Sequence, residues 1–229
     1  MEPATEISFW AVLFVGGHLA ISSRAIRPRL IATVGEQPYR GVYSLVSLGT
    51  FIPLTIAFAR HKHAGAMLWY ARDFAAARVL VWAAMAIALI MIAAGVVRPS
   101  PSAMVGRPES TPRGMQKITR HPSFVGLSLF GLAHLLMNGW VGDLWFFGSF
   151  PALGILGGIH QDRRKLVELG ESYREFKTAT SFFPGLALID GRQRLVRAEI
   201  PWLAIVIGLA LTMALIIVHP RWFGGSPLG

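Results

Sequence analysis

The stretch Ile118-Thr119-Arg120-His121-Pro122-Ser123-Phe124 marks an abrupt change from a basic, polar segment to an apolar run that reaches Asn138. Proline suits the first turn of a helix, because its missing N–H would have no intrahelical partner there. The pattern therefore predicts a helix that begins at Pro122, with His121 at or just before its N-terminus. The partial positive charge of that end, together with Arg120 and Lys117, favours binding of an anionic group.

The composition indicates a membrane protein. Of the 229 residues, 53% are hydrophobic and only 15% are charged, which is too apolar for an ordinary soluble domain. The net charge of +10 does not indicate nucleic-acid binding, because the basic residues lie between apolar runs, as membrane topology requires. The chain has no cysteine. Disulfides and thiolate metal sites are thereby excluded, and a metal or haem site has to use His, Met, Tyr or carboxylates.

Six apolar runs have the length of a membrane helix, about 17–25 residues. The sequence therefore predicts an all-α, polytopic bundle of about six transmembrane helices in the lipid bilayer. We expect one domain over residues 1–223 and a disordered tail at 224–229. The predicted helices are roughly 6–23, 40–60, 74–97, 122–138, 140–160 and 200–219.

The basic loops predict the orientation of the bundle. Lys and Arg concentrate in segments 24–39, 98–121 and 161–199. The positive-inside rule places these segments in the cytoplasm and both termini outside, with the loop 60–73 outside despite its charge. Within 161–199, Leu166, Leu169, Tyr173 and Phe176 recur at helical spacing among charged residues. This pattern predicts a cytoplasmic amphipathic helix at the membrane interface.

Three histidines in or beside apolar runs are candidate ligands. His18, inside the first helix, is either a packing histidine bonded to a neighbouring helix or a metal or haem ligand. His121 is either a polar helix cap or a ligand, since a helix N-terminus favours the neutral, metal-binding imidazole. His134 lies about 20 Å beyond His121 along the same helix and on nearly the opposite face, so the two cannot bind one atom. His61 and His63 lie in a polar outer loop, where we expect them to be solvated. His160 and His219 lie at helix ends, where interfacial histidines are common.

The ordered set of motifs resembles the NnrU-type membrane proteins over about residues 6–215. The N-terminal part of the resemblance lies in Gly17-His18-Leu19, Gly35-Glu36 and Tyr39-Arg40-Gly41, and the central part in Thr119-Arg120-His121-Pro122 and Ala133-His134-Leu135. The last part of the resemblance, to the segment that closes the domain in this family, lies in Asp162-Arg163-Arg164-Lys165 and Thr180-Ser181-Phe182-Phe183-Pro184.

The resemblance implies a multi-pass protein of the bacterial inner membrane, associated with nitrite and nitric oxide metabolism. The family is related to the 15-cis-zeta-carotene isomerases, membrane enzymes that use haem b held by histidines. Carried over, His18 and His121 are the expected haem ligands, with His134 as a competitor for the second position. Arg120 and Lys117 are then expected near the haem propionates. The implied partner is a hydrophobic small-molecule substrate or a nitrogen-oxide reductase.

Two other functions stay open on the sequence. The Arg-His-Pro step also resembles isoprenylcysteine methyltransferase-like enzymes, which bind S-adenosylmethionine. The later acidic and aromatic residues of those enzymes are loosely matched here by Glu168, Gly170, Glu171, Tyr173 and Phe176. The adjacent acidic pair of those enzymes is missing. The other alternative is a non-catalytic assembly factor for a nitrogen-oxide reductase, which needs no cofactor.

Overall fold

A computed structural model describes residues 1–103 and 111–224, and the regular secondary structure in these residues is helical. Two short 3₁₀ turns, Gly114–Lys117 and Arg197–Glu199, accompany nine α-helices in these residues. The α-helices are α1 (Pro3–Ile21), α2 (Arg27–Val34), α3 (Glu36–Arg60), α4 (Ala75–Val97), α5 (Pro122–Met137), α6 (Val141–Leu169), α7 (Glu171–Ala179), α8 (Leu186–Ile189) and α9 (Trp202–Trp222).

The predicted membrane bundle is confirmed. Helices α1, α3, α4, α6 and α9 are long and apolar enough to cross a bilayer. The remaining predicted span, residues 122–138, corresponds to α5, which is apolar but has only 16 residues. It extends about 24 Å, which is shorter than the roughly 30 Å hydrocarbon core. Helix α5 begins at Pro122, as predicted, and the turn Asn138–Trp140 separates it from α6.

The segment after residue 160 differs from the prediction. Helix α6 does not stop there but continues to Leu169, because residues 161–169 contain neither glycine nor proline and are mostly good helix formers. Gly170, with a φ of 59°, then separates α6 from α7. The predicted amphipathic helix is therefore the shorter α7. Its apolar residues Tyr173 and Phe176 are each only 1% exposed, so they pack inside the protein.

The chain forms two compact units. The first comprises Met1–Val81 and Gly131–Arg164, and the second comprises Trp82–Phe130 and Lys165–Gly229. Their boundaries fall inside α4, α5 and α6, where the sequence predicted one domain. Of the predicted disordered tail, residues 225–229 lie outside the described residues.

Glycines bring the helices of the second unit close together. A Cβ on Gly126 of α5 would lie 2.6 Å from the carbonyl oxygen of Ala88 in α4. A Cβ on Gly208 of α9 would lie 2.5 Å from the Cα of Ile90. Small residues allow such close backbone contact in membranes, where van der Waals packing replaces the hydrophobic effect between helices.

We expect Gly126→Ala to destabilise the protein by about 1–3 kcal/mol, because the new methyl group overlaps the backbone of α4. The matched control is Gly16→Ala on α1, whose added Cβ would have nothing within 4 Å. That control should be neutral or stabilising by up to about 1 kcal/mol. Thermal unfolding in one detergent measures both variants, and equal losses would contradict the packing described here.

Candidate functional site

His18 has a hydrogen bond at one of its two ring nitrogens in the described residues. Its Nδ1 lies 2.8 Å from the carbonyl oxygen of Phe14, which can only accept, so Nδ1 carries the proton. Its Nε2 then carries the lone pair, and no hydrogen bond to it is present in the described residues. A carbonyl that fixes the Nδ1 proton is the common outer support of a histidine ligand. The ring also contacts Phe14 and Tyr43 edge-on, at centroid distances of 4.7 and 5.5 Å.

The glycines before His18 have different surroundings. A Cβ on Gly17 would lie 3.3 Å from Cγ1 of Val46, so this glycine allows α1 to approach α3 closely. A Cβ on Gly16 would meet no atom within 4 Å. Close helix packing therefore accounts for Gly17, whereas Gly16 borders open space.

The end of α1 that carries His18 is held by polar groups. Ser22 Oγ donates to the carbonyl oxygen of His18 at 2.6 Å. The carbonyl of Ser22 in turn accepts a bond of 2.8 Å from Nε2 of His160 in α6. Tyr39 donates its hydroxyl to the carbonyl of Ile21 at 3.3 Å. These donors satisfy carbonyls that a helix C-terminus leaves unpaired, so His160, which lies inside α6 rather than at a helix end, supports α1.

His121, in the second unit, is buried at the N-terminus of α5. It is 4% exposed, and its backbone N–H donates to Thr119 Oγ1 at 3.3 Å. Its ring lies 5.2 Å from the ring of Phe182 and 5.7 Å from that of Phe124. Arg120 is also buried, with its guanidinium 5.7 Å from the centroid of Phe182. Arg120 and His121 are therefore buried among aromatic rings beside a helix N-terminus.

The segment 181–185 forms one wall of this site. Arg120 donates its backbone N–H to the carbonyl of Ser181 at 2.9 Å, and Thr119 Oγ1 donates to that of Phe182 at 2.7 Å. The backbone N–H of Gly185 donates to the carbonyl of Ile118 at 2.8 Å. Phe182 is thus held beside Arg120 and His121 by hydrogen bonds on both sides of it.

Lys117 forms an ion pair instead of facing an open site. Its Nζ lies 2.8 Å from Oε2 of Glu199, which also accepts the backbone N–H of Gly114 at 3.2 Å. The Lys117 ammonium and this N–H hold the pKa of the Glu199 carboxyl below its usual range. Lys117 could bind a propionate only by exchanging this partner.

His134 has other ring neighbours than His18. Its ring stacks on Phe147 of α6, with centroids 4.5 Å apart. The ring of His18 instead lies against Phe14 and Tyr43. His121 belongs to the second unit.

A buried carboxylate at the other end of α6 was missed by sequence reasoning. Asp143 is 0% exposed, and its Oδ2 lies 2.8 Å from Nδ1 of His63, a residue that the sequence analysis took to be solvated. Asp143 Oδ1 has no hydrogen-bond partner among the described residues. Arg72 lies beside this pair: its Nη2 donates to Asn138 Oδ1 at 2.6 Å and lies 3.4 Å from His63 Nε2.

This cluster fastens the loop between α3 and α4, which we call the outer strap (residues 61–74), across the α5–α6 turn. The backbone N–H of Leu68 donates to the carbonyl of Gly139 at 2.7 Å, and that of Gly142 donates to Ala64 at 2.9 Å. His63 has a left-handed φ of 60°, the only non-glycine residue with a positive φ in the described chain. The sequence signal was Asp143 itself, since a carboxylate in the first turn of an apolar helix needs a partner.

We expect Asp143→Ala to cost about 1–3 kcal/mol of stability, because it leaves the His63 N–H without its acceptor. Asp73→Ala is the control. Asp73 lies in the same strap, is exposed and, among the described residues, pairs only with Tyr70 at 3.1 Å, so its loss should stay within about 0.5 kcal/mol. Denaturant unfolding gives both values, and hydrogen exchange should show faster opening at 64–69 in Asp143→Ala alone. Unchanged exchange there would contradict the strap's dependence on Asp143.

Metal binding by protein side chains alone has little support. In residues 1–103 and 111–224, no group of three or more His, Asp or Glu side chains is placed to hold an ion. A haem iron takes four ligands from the porphyrin and needs only one or two from the protein. Isolated histidines such as His18 are compatible with that requirement.

These features define a polytopic α-helical membrane protein with histidines inside or beside its apolar helices. A family model described as NnrU protein matches residues 7–227, and the chain belongs to the NnrU family. It is 29% identical to the chloroplastic 15-cis-zeta-carotene isomerase of Zea mays over 91% of this chain. It is 27% identical to the enzyme of the same name from Arabidopsis thaliana over 98% of this chain. The chain spans 58% and 62% of the length of these two relatives, and no solved structure matches it.

Proposed function

We propose that this protein is a membrane isomerase that acts on a lipid-dissolved conjugated polyene of the carotenoid class. The observation that carries the proposal is His18, an imidazole within an apolar membrane helix whose Nδ1 proton is fixed by Phe14 and whose Nε2 faces no hydrogen-bond donor in the described residues. The similarity to two enzymes named as 15-cis-zeta-carotene isomerases supports the substrate class.

Haem b is the cofactor that we propose, and His18 would hold its iron. The neutral Nε2 suits iron, and the Phe14 carbonyl raises its basicity through the Nδ1 proton. His121, which is buried next to aromatic rings in the second unit, remains the second ligand predicted from the family resemblance. Arg120 is the cation that we propose for the propionates. Lys117 could provide a second cation for the propionates only after its ion pair with Glu199 has broken.

Bound haem would supply one-electron redox chemistry at its iron. The task of the protein side chains is to orient the ligands and keep water out. Isomerisation about a double bond transfers no atoms in total and leaves the substrate at its original oxidation level. The reaction therefore needs no net donor or acceptor of atoms or electrons. The apolar surroundings of His18, with Phe14 and Tyr43 against its ring, suit a hydrocarbon substrate.

Methyl transfer has less support, because the residues that loosely match the methyltransferase-like enzymes have structural roles here. Glu168 pairs with Lys165 at 3.1 Å, and Glu171 pairs with Arg174 at 3.0 Å. Tyr173 and Phe176 are buried. A role in nitrogen-oxide metabolism, a reductase partner and a bacterial inner-membrane location remain predictions from the family resemblance.

The activity is tested with 15-cis-zeta-carotene in vesicles that contain the purified, haem-supplemented protein under reducing conditions. We expect conversion of the 15-cis bond to trans, measured by chromatography, and background conversion with His18→Ala. His61→Ala is the matched control and should keep wild-type activity. His61 lies in the outer strap, and its ring pairs with Glu6 of α1 at 3.5 Å. Folded wild-type protein that gives no conversion would contradict the proposed isomerase.

A further inference from the structure

An apolar stripe is exposed between α7 and α9, outside the membrane-spanning helices. Phe183 is 69% exposed, Ile189 is 84% exposed, and Leu186 between them is also exposed. These residues recur every three positions and so lie on one side of α8 and its approach. Ala187 lies on the other side and is fully buried. We call Phe183, Leu186 and Ile189 the α8 stripe.

The stripe is rigidly held, so its exposure is a property of the fold. Ser181 Oγ accepts the backbone N–H of Ala187 at 3.1 Å. Arg192 donates to the carbonyl oxygens of Thr178 and Thr180 at 2.6 and 2.7 Å, and it pairs with Asp190. This guanidinium holds the pKa of the exposed Asp190 carboxyl below its usual range. Hydrogen bonds on both sides therefore fix α8 with its apolar residues outward.

The position of the stripe in the chain indicates what covers it. Helix α9 begins at Trp202, and its first turns expose Trp202, Leu203 and Val206. Because α9 is a membrane span, these side chains face lipid, and a tryptophan at a span's end is typical of the interface. Leu195 and Val196 are also exposed, so apolar surface recurs between α8 and α9.

Basic residues accompany the stripe. Arg194 and Arg197 are exposed, and neither forms an ion pair among the described residues. Arginines next to exposed apolar side chains are the composition of segments that lie in a membrane interface and attract anionic lipids. Charge complementarity and the continuity with α9 both favour a lipid surface over a protein partner.

We propose that the α8 stripe is an interfacial anchor, with Phe183, Leu186 and Ile189 inserted at the headgroup–acyl boundary and Arg194 and Arg197 on lipid phosphates. The interfacial element predicted from sequence is thus displaced from α7, whose apolar residues are buried, to α8. The anchor adjoins Phe182 and Ser181, which bond to Thr119 and Arg120. It therefore ties the wall of the His121 site to the membrane surface. The proposal does not depend on haem binding or isomerase activity.

The absence of cysteine allows a direct test. Ile189→Cys and, as control, Glu175→Cys on the exposed side of α7 are made in the full chain and labelled with a nitroxide. The proteins are placed in phosphatidylcholine vesicles with or without phosphatidylglycerol. Collision with oxygen reports apolar depth, and collision with a water-soluble nickel chelate reports exposure to water.

We expect the label at 189 to collide more often with oxygen than with the nickel chelate, and the label at 175 to show the reverse. Phosphatidylglycerol should move the label at 189 deeper, and Arg194→Gln with Arg197→Gln should abolish this lipid-dependent shift. A label at 189 that is as accessible to nickel as the label at 175 would overturn the anchor. A deep label without any effect of phosphatidylglycerol would overturn the role of the two arginines.

Discussion

The fold depends on one constraint: a polar group inside an apolar helix has to find its partner within the protein, because lipid offers none. Helix α6 shows how this is met. Near its start, Asp143 is fully buried and bonds to His63 from the outer strap. About 25 Å further along, His160 bonds to the carbonyl of Ser22 at the end of α1. Polar contacts at these two levels hold the first unit together between stretches of apolar packing.

The two levels differ in what their histidines can do. At the outer level, Asp143 occupies Nδ1 of His63, and the Arg72 guanidinium lies close to its Nε2. At the inner level, His160 bonds to the carbonyl of Ser22, and among the described residues His18 has a hydrogen bond only at Nδ1. The Nε2 of His18 is thus the ring nitrogen that we propose for a ligand, whereas the outer level fastens a loop. Similar residues thus have different roles because their partners differ.

Much of this architecture follows from the sequence, because membrane spans and a proline-initiated helix have strong local signals. The start of α5 at Pro122 was predicted from such a signal. The end of α6 was not, since residues beyond 160 are charged and yet continue the helix to Leu169. The pairing of His63 with Asp143 joins residues that are 80 positions apart, which local patterns cannot predict. The apolar spacing around Tyr173 predicted a helix correctly but did not distinguish a lipid-facing side from a protein-facing one.

The account rests most directly on His18 as a haem ligand, and an absorption spectrum tests this claim. The protein would be purified in mild detergent, supplemented with haem, and measured before and after dithionite. We predict a Soret band that shifts and sharpens on reduction, that is altered or lost in His18→Ala, and that is kept in His134→Ala, whose ring packs on Phe147. Full haem occupancy with an unchanged spectrum in His18→Ala, or a wild-type protein that takes up no haem, would contradict it.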